Sequence, residues 1–403
     1  TATNGRVMLL APDVKNSGVI TTPDGQTLLA AGKTIYMTKQ NENILVEVSS
    51  GGTVKNIGDI VVGNGNASLV GLAVNQEGLI KATTTVRNKG QILLKAKEIQ
   101  DKSRTDFDRY GTVTLAKNST TEVLVDTANT EEAVRAQDVA VKNQSIVEVL
   151  GKTIDIQGRV TANAGLVNVT ATSNGMGESR IFLGEHAVID VSGVDANAAM
   201  SRNQIKIQLY SEQLKDSPAL KGGPLFGEFL YLDSREGTPI ISQTVIDQAK
   251  QSQKETIAEA MTNGGSVKFT ADGVVTKAGS VVNTSGGKTT FAAGDIKESR
   301  LLFNGKWVDA SDAQAGVAYE STGTTYSIKD PRWGTTRTWD LSSSPDGKYQ
   351  AGYVKGGNAG AFTVNASQLA LHGDILANTT AGSYQRGDNA NSLTPNGGAL
   401  NIN

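Results

Sequence analysis

The seven-residue phrase VKNSGVI at 14–20 returns as VKNIGDI at 54–60 and as VRNKGQI at 86–92. A chain that writes V-(K/R)-N-x-G-x-I three times in its first hundred residues needs the same local structure three times. Val14, Asn16, Gly18 and Ile20 stand two apart, with apolar residues bracketing a polar turn. Such alternation argues for strand broken by a corner. Asn and Gly enter left-handed backbone conformations at the lowest cost, which suits a sharp change of direction. Looser versions stand at 154–160 (IDIQGRV) and 369–375 (LALHGDI).

A second phrase, G-x-(V/T/F)-x-(L/V/F)-x-A, is interleaved with the first. It reads GRVMLLA at 5–11, GQTLLAA at 25–31, GLVNVTA at 165–171, GSVKFTA at 265–271 and GAFTVNA at 360–366, with a less complete match, GTVTLAK, at 111–117. Gly5 and Gly25, Leu9 and Leu29, Ala11 and Ala31 fall into register 20 residues apart. The phrases at 14 and 54 are twice that period apart, and the copy at 86 lies 32 further on, which predicts a loop or missing arc there. A period near 20 made of short strands and glycine corners is the signature of a β-solenoid. No single turn of it can bury its apolar row, but stacked turns make a continuous core. At about 4.8 Å per coil, roughly a dozen coils would form a rod ~60 Å long. An antiparallel β-sandwich competes less well, because sandwiches do not repeat one phrase per circuit.

Two stretches break the pattern. The reading divides the chain into β-helix over 1–209, an insertion over 210–262, β-helix over 263–295, a second insertion over 296–357, and β-helix from 358 to 403, continuing beyond the fragment. In the first insertion, residues 242–261 read as a helix, with Val245, Ile246, Ala249, Ile257, Ala260 and Met261 roughly on one face and Asn-Gly-Gly after it. The second insertion holds all three tryptophans, Trp307, Trp333 and Trp339, and four of the nine tyrosines. Both read as segments that protrude from a rod or pack along it.

Composition narrows the class. Charged residues are 19% of the chain and the formal net charge is −2, so nucleic acid and anionic membrane surfaces find no basic footprint. Aromatics are 5%, which leaves the core to Val, Ile, Leu and Ala. Without Cys there are no disulfides and no thiolate metal sites, a composition that suits a bacterial chain exported before folding. No apolar run is long enough to span a bilayer, and TATNGRVMLL at the start has no signal-peptide pattern. The pattern is already running at the first residue and still running at the last, so the segment reads as an excerpt of something longer.

These residues resemble the filamentous haemagglutinin family, the large exoproteins of bacterial two-partner secretion. The resemblance rests on the two phrases, on VIDVSG (188–193) and VVNTSGG (281–287), on the run from DPRWGTTRTWD at 330 to GSYQRG ending at 387, and on LKDSPALKGGPLFGEFLYLDSREGTP at 214–239. It covers most of the chain. It implies an all-β, right-handed parallel β-helix with two inserted segments, one containing a helix. It also implies export through an outer-membrane partner pore and work at the bacterial surface in adhesion, aggregation or biofilm, on a host-cell, bacterial-cell or matrix ligand. The family's secretion domain carries an NPNG-type motif; TPNGG at 394–398 departs from it, so an internal segment is implied.

Catalytic patterns are scarce. His186 and His372 stand far apart, and no Ser/His/Asp order, phosphate loop or His-Glu-x-x-His is present. Asp106 and Asp108, flanked by Arg104 and Arg109, are the carboxylates a β-helical polysaccharide lyase or hydrolase would draw on, but a solvated loop of balanced charges explains them more simply. Arg386, Gly387 and Asp388 form a short motif that would offer a guanidinium and a carboxylate to an integrin. Trp307, Trp333 and Trp339 are binding candidates, since exposed aromatics carry contact area at small entropic cost. Burial to give their insertion a core of its own is the reading expected first. No cofactor or metal is implied. The function expected is that of a rigid spacer and display scaffold in a secreted surface adhesin, not an enzyme. A polysaccharide lyase or hydrolase, and an exoprotein that captures a host carrier protein through its insertions, are the alternatives.

Overall fold

Period-two alternation turns every second side chain inward, and a chain that keeps this up over three short strands closes a triangle. The third circuit shows the unit: Asn66–Gly71 on a first face, Ala73–Gln76 on a second, Leu79–Thr84 on a third. Each strand pairs in parallel with its counterparts in the circuits before and after, as Ala73–Gln76 does with Thr53–Asn56 and Thr112–Leu115. The third face is a sheet of eight strands, so the chain makes eight circuits, and Ala399–Ile402 begins a ninth on the first face. The computed structural model describes residues 1–3, 5–40, 43–50, 52–98, 111–134, 144–173, 178–210, 223–322, 326–339, 347–387 and 393–403. The architecture is a parallel β-helix. Among the described residues, no helix is long and apolar enough to cross a membrane.

Stacking puts like residues in rows. Leu29, Leu69, Leu94, Val149, Val169, Phe269 and Val364 share register on the first face, and all are fully buried. The row nearest the next corner stays small, with Ala31, Gly71, Ala96, Ala171, Ala271 and Ala366. Glycines precede this face because successive coils touch there. A Cβ on Gly65 would lie 1.8 Å from the Gly25 carbonyl oxygen, and one on Gly360 1.7 Å from that of Gly265.

The opening phrase is the corner between the second and third faces. Asn16 and Asn56 occupy one register position, and Gln76 follows them. Their side chains point inward as an amide ladder: Asn56 Oδ1 accepts from Asn16 Nδ2 at 2.8 Å, and Gln76 Oε1 accepts from Asn56 Nδ2 at 2.8 Å. Each rung also serves the corner, Asn56 Nδ2 donating to the Gly58 carbonyl. In circuits four to six Leu115, Ile156 and Leu183 replace the amides. In the seventh Thr276 stands there and its Oγ1 accepts from the backbone N–H groups of His372 and Gly373, and in the eighth Leu371 follows. The true third copy of the phrase is therefore VNQEGLI at 74–80, not VRNKGQI at 86–92. Residues 86–90 lie at the corner before the first face, and Ile92 is already inside it. GTVTLAK likewise sits on the second face, through Thr112–Leu115.

Eight circuits rather than a dozen follow from the chain spent outside the rod. Thr34–Gln40 and Asn43–Ser50 form an antiparallel hairpin that leaves between the first and second faces. Two larger excursions leave between the third and first faces: one between Val188–Asp190 and Ser266–Thr276, the other between Val281–Asn283 and Ala361–Leu371. They do not form two separate appendages. Ile205, Ile207, Leu230, Leu232, Ile240 and Ile246 of the first share one buried core with Leu301, Ala310, Ala313 and Tyr319 of the second. Hydrogen bonds join them too, as from Thr238 Oγ1 to the Ala310 carbonyl at 2.5 Å.

The helix expected over 242–261 is split. A helix spans Gln243–Gln251, a strand Lys254–Thr256 follows, and a single turn covers Ile257–Ala260. The supposed single apolar face serves two cores. Ile246 enters the module shared by the excursions, whereas Ile257 and Met261 pack on the rod with Val86, Val125 and Ala164. Between them Lys254–Thr256 pairs antiparallel with Glu132–Val134, and Thr256 starts the final turn with a reciprocal capping pair to Glu259.

Candidate functional site

Three consecutive circuits meet at one arginine. The DSREG turn of the first excursion places Arg235 on Asp233, with Nη2 donating to Oδ2 at 2.6 Å and Nε to Oδ1 at 3.0 Å. Both side chains are about nine-tenths buried or more. The guanidinium lies over the rings of Tyr353 (5.0 Å) and Tyr384 (4.7 Å). Strand pairing builds the aromatic part: Lys288–Phe291 runs antiparallel to Tyr353–Gly356, so Phe291 and Tyr353 are cross-strand partners and stack at 4.6 Å with 5° between planes. Tyr384 meets Tyr353 edge-on at 4.8 Å, and Gln385 beside it clamps its loop to Gly356, accepting from that backbone N–H and donating to its carbonyl.

The electrostatics follow from this packing. Burial opposes the charge on Arg235, but the hydrogen bonds and charge of Asp233 outweigh it and hold the arginine above its ordinary pKa. The Tyr353 hydroxyl donates to Asn203 Oδ1 at 2.9 Å. Burial, against the pull of the neighbouring Arg235 charge, pushes its pKa up to about 12. Burial and the nearby Asp233 raise Glu236 as well.

Beside this junction a cleft of about 570 Å³ opens between the helix Gln243–Gln251 and the rod, lined among others by Arg202, Lys254, Lys355, Asn358 and Tyr384. Arg202 is fixed there by carboxylates on two sides, Glu132 and Glu259. Burial works against its charge, yet those partners raise its pKa.

The residues singled out in the sequence fall elsewhere. Trp307 and Trp333 are exposed, Trp333 at 72%, so the expectation that they bury to form the insertion's core fails. Leu and Ile from the other excursion fill that core instead. Trp339 belongs to the strand Thr336–Trp339, and its side chain lies outside the described residues. Arg386 is exposed just past the Gln385 clamp and Gly387 follows it, while Asp388 lies outside the described residues. Arg104, Asp106, Asp108 and Arg109 lie outside them as well. His186 and His372 both sit exposed at the corner between the second and third faces, two circuits apart. Among the described residues, no group of three or more His, Asp or Glu could hold a metal ion.

Sequence reasoning missed Arg235, Tyr353 and Tyr384. Tyr353 and Tyr384 lie inside the run at 330–387 and Arg235 inside DSREG, but nothing local in either segment points to the other. Comparison with family models, with curated proteins and with solved structures gives no match.

Proposed function

We propose that this chain is a rigid segment of a secreted bacterial surface adhesin, in which the β-helix is the spacer and the fused excursions are the displayed element. One observation carries the reading: segments separated by a full circuit of rod build a single core, and the second of them exposes Trp307, Trp333 and Tyr349. The core of this module is separate from the continuous core inside the rod. The resemblance to the filamentous haemagglutinin family supports the same reading and adds export through an outer-membrane pore.

Beads coated with the purified chain should adhere to at least one of three surfaces: host epithelial cells, bacterial cells or matrix-coated plates. Replacing Trp307 and Trp333 together by Ala should lower adhesion about fivefold or more. Adhesion no better than that of uncoated beads on all three surfaces would sink the reading. Capture of a host carrier protein would use the same exposed aromatics, and retention of a serum protein on the beads, lost in the double variant, would favour it over cell adhesion. Deleting 296–357 is a poor test of either reading, because it removes Leu301, Ala310 and Ala313 from a core shared with the first excursion.

A further inference from the structure

We propose that the hairpin strand Thr34–Gln40 is a self-association edge, through which the chain pairs antiparallel with the same strand of a second copy.

The hairpin stands with one edge on the rod. Gln26, buried at 5% exposure, accepts from the Ile44 backbone N–H and donates to the Ile44 carbonyl, both at 3.0 Å. The backbone groups of Ile44 therefore face the rod rather than the sister strand. Such groups alternate sides along a strand, so those of Leu45 and Glu47 face their register partners Thr38 and Tyr36. On Thr34–Gln40 the N–H and C=O groups left over are those of Ile35, Met37 and Lys39, and they point away from hairpin and rod alike. No other described residue pairs with them.

Natural sheets guard such an edge with Pro, a bulge or charges. Thr34–Gln40 has no Pro, its one irregularity lies at the end between Thr34 and Ile35, and Lys39 is its one charged residue. Apolar side chains stand exposed on the hairpin: Tyr36 at 61%, Met37 at 55% and Leu45 at 42%.

A second copy fits because the edge complements itself. A twofold axis at Met37 sets Met37 against Met37 of the second copy and Ile35 against Lys39, each such pair exchanging two backbone hydrogen bonds. Lys39 then stands four residues along the strand from its symmetry mate, about 13 Å, so like charges do not meet. On one face Tyr36 stands opposite Thr38 of the second copy, and on the other the two Met37 side chains meet. The far edge of each hairpin rests on its own rod, so the rods lie on opposite sides of a four-stranded sheet. Pairing one strand buries less than the roughly 800 Å² per partner of a standard interface, which sets dissociation in the micromolar range. The hairpin leaves the rod in the second circuit, whereas the large excursions leave after the sixth and seventh. A dimer joined there presents two excursion modules at once.

Sedimentation equilibrium of the purified chain, up to about 100 μM, should show a species of twice the chain mass that grows with concentration. Met37→Pro removes an N–H that the hairpin does not use, and Met37→Lys sets like charges on the twofold axis. Each should weaken dimerisation about tenfold or more, and Met37→Lys, which keeps the backbone intact, should leave the melting temperature unchanged. In a chain without Cys, Met37→Cys should cross-link to a dimer with a short thiol reagent, whereas Thr34→Cys, about 20 Å from its symmetry mate, should not. A monomer at every concentration, undiminished dimerisation of Met37→Lys, or equal cross-linking at the two positions would each overturn the proposal.

Discussion

The corner between the second and third faces and the corner between the third and first are built under opposite rules. In all eight circuits the former is closed by two to four residues. The latter ranges from the three residues 163–165 to the stretches 191–265 and 284–360. At the first of these corners the chain turns over its own core: Asn16, Asn56 and Gln76 face inward there and must stay in register to satisfy one another. Where the amides are replaced the corner takes two residues after Ile156 and Leu371 but four after Leu115, Leu183 and Thr276. The other corner opens to solvent and to neighbouring excursions, and length there is nearly unconstrained. One edge of the prism fixes the fold while another carries what is added to it.

The largest effect should come from crowding the tight corner. A Cβ on Gly58 would lie 2.0 Å from the Gly18 carbonyl oxygen, so Gly58→Val is expected to cost more than about 4 kcal/mol in urea denaturation. Four Gly/Ser residues inserted after Lys89, at the permissive corner, should cost less than about 1 kcal/mol. Equal losses would dissolve the distinction between the two corners. Next in size is Arg235→Met, which leaves Asp233 charged and buried at 4% exposure, with an expected cost of about 3–5 kcal/mol. Proteolysis should then open the shared module while hydrogen exchange in circuits one to five stays unchanged. Cleavage spread evenly along the chain would show that module and rod unfold as one.

Alkaline titration sharpens the same contrast at lower cost. The Tyr353 pKa is raised in the folded state to about 12 from an ordinary 10.0. Its contribution is complete below pH 10 and lost as pH climbs towards 12, because the unfolded chain gives up that proton first. The loss should be on the order of 2 kcal/mol, confined to the module and absent in Tyr353→Phe. Smallest of all, Trp333→Ala should change stability by no more than about 0.5 kcal/mol, since the ring is 72% exposed. A larger loss would return Trp333 to a packing role.

Much of the rod was legible because its physics is local and repeated. Val14, Val54 and Val74 alternate with polar residues, and the glycines before Val167 and Val267 mark where coils touch. Literal matching still misled at one place. VRNKGQI carries the right letters at the wrong corner, and VNQEGLI departs from the phrase only because Gln76 makes the amide contact in place of Asn. The single helix over 242–261 fails because its six apolar residues do not meet one surface: Ile246 and Ile257 enter two different cores. The junction at Arg235 could not be read at all. Its parts come from 233–235, 291, 353 and 384, brought together only by parallel stacking of circuits whose lengths vary.

Register separations along the first face also set an order in time. Arg6 pairs with Gln26 and Ile146 with Leu166, 20 residues apart, but Leu166 pairs with Ser266 across 100 and Ser266 with Ala361 across 95. Closing a loop of 100 residues rather than 20 costs about 1.4 kcal/mol more, roughly tenfold in rate. Pulse-labelled hydrogen exchange during refolding should therefore find the early circuits protected before those that carry the excursions. Molecules caught midway would display a finished stem and an unmade head, an order that matches the direction in which a ribosome delivers the chain.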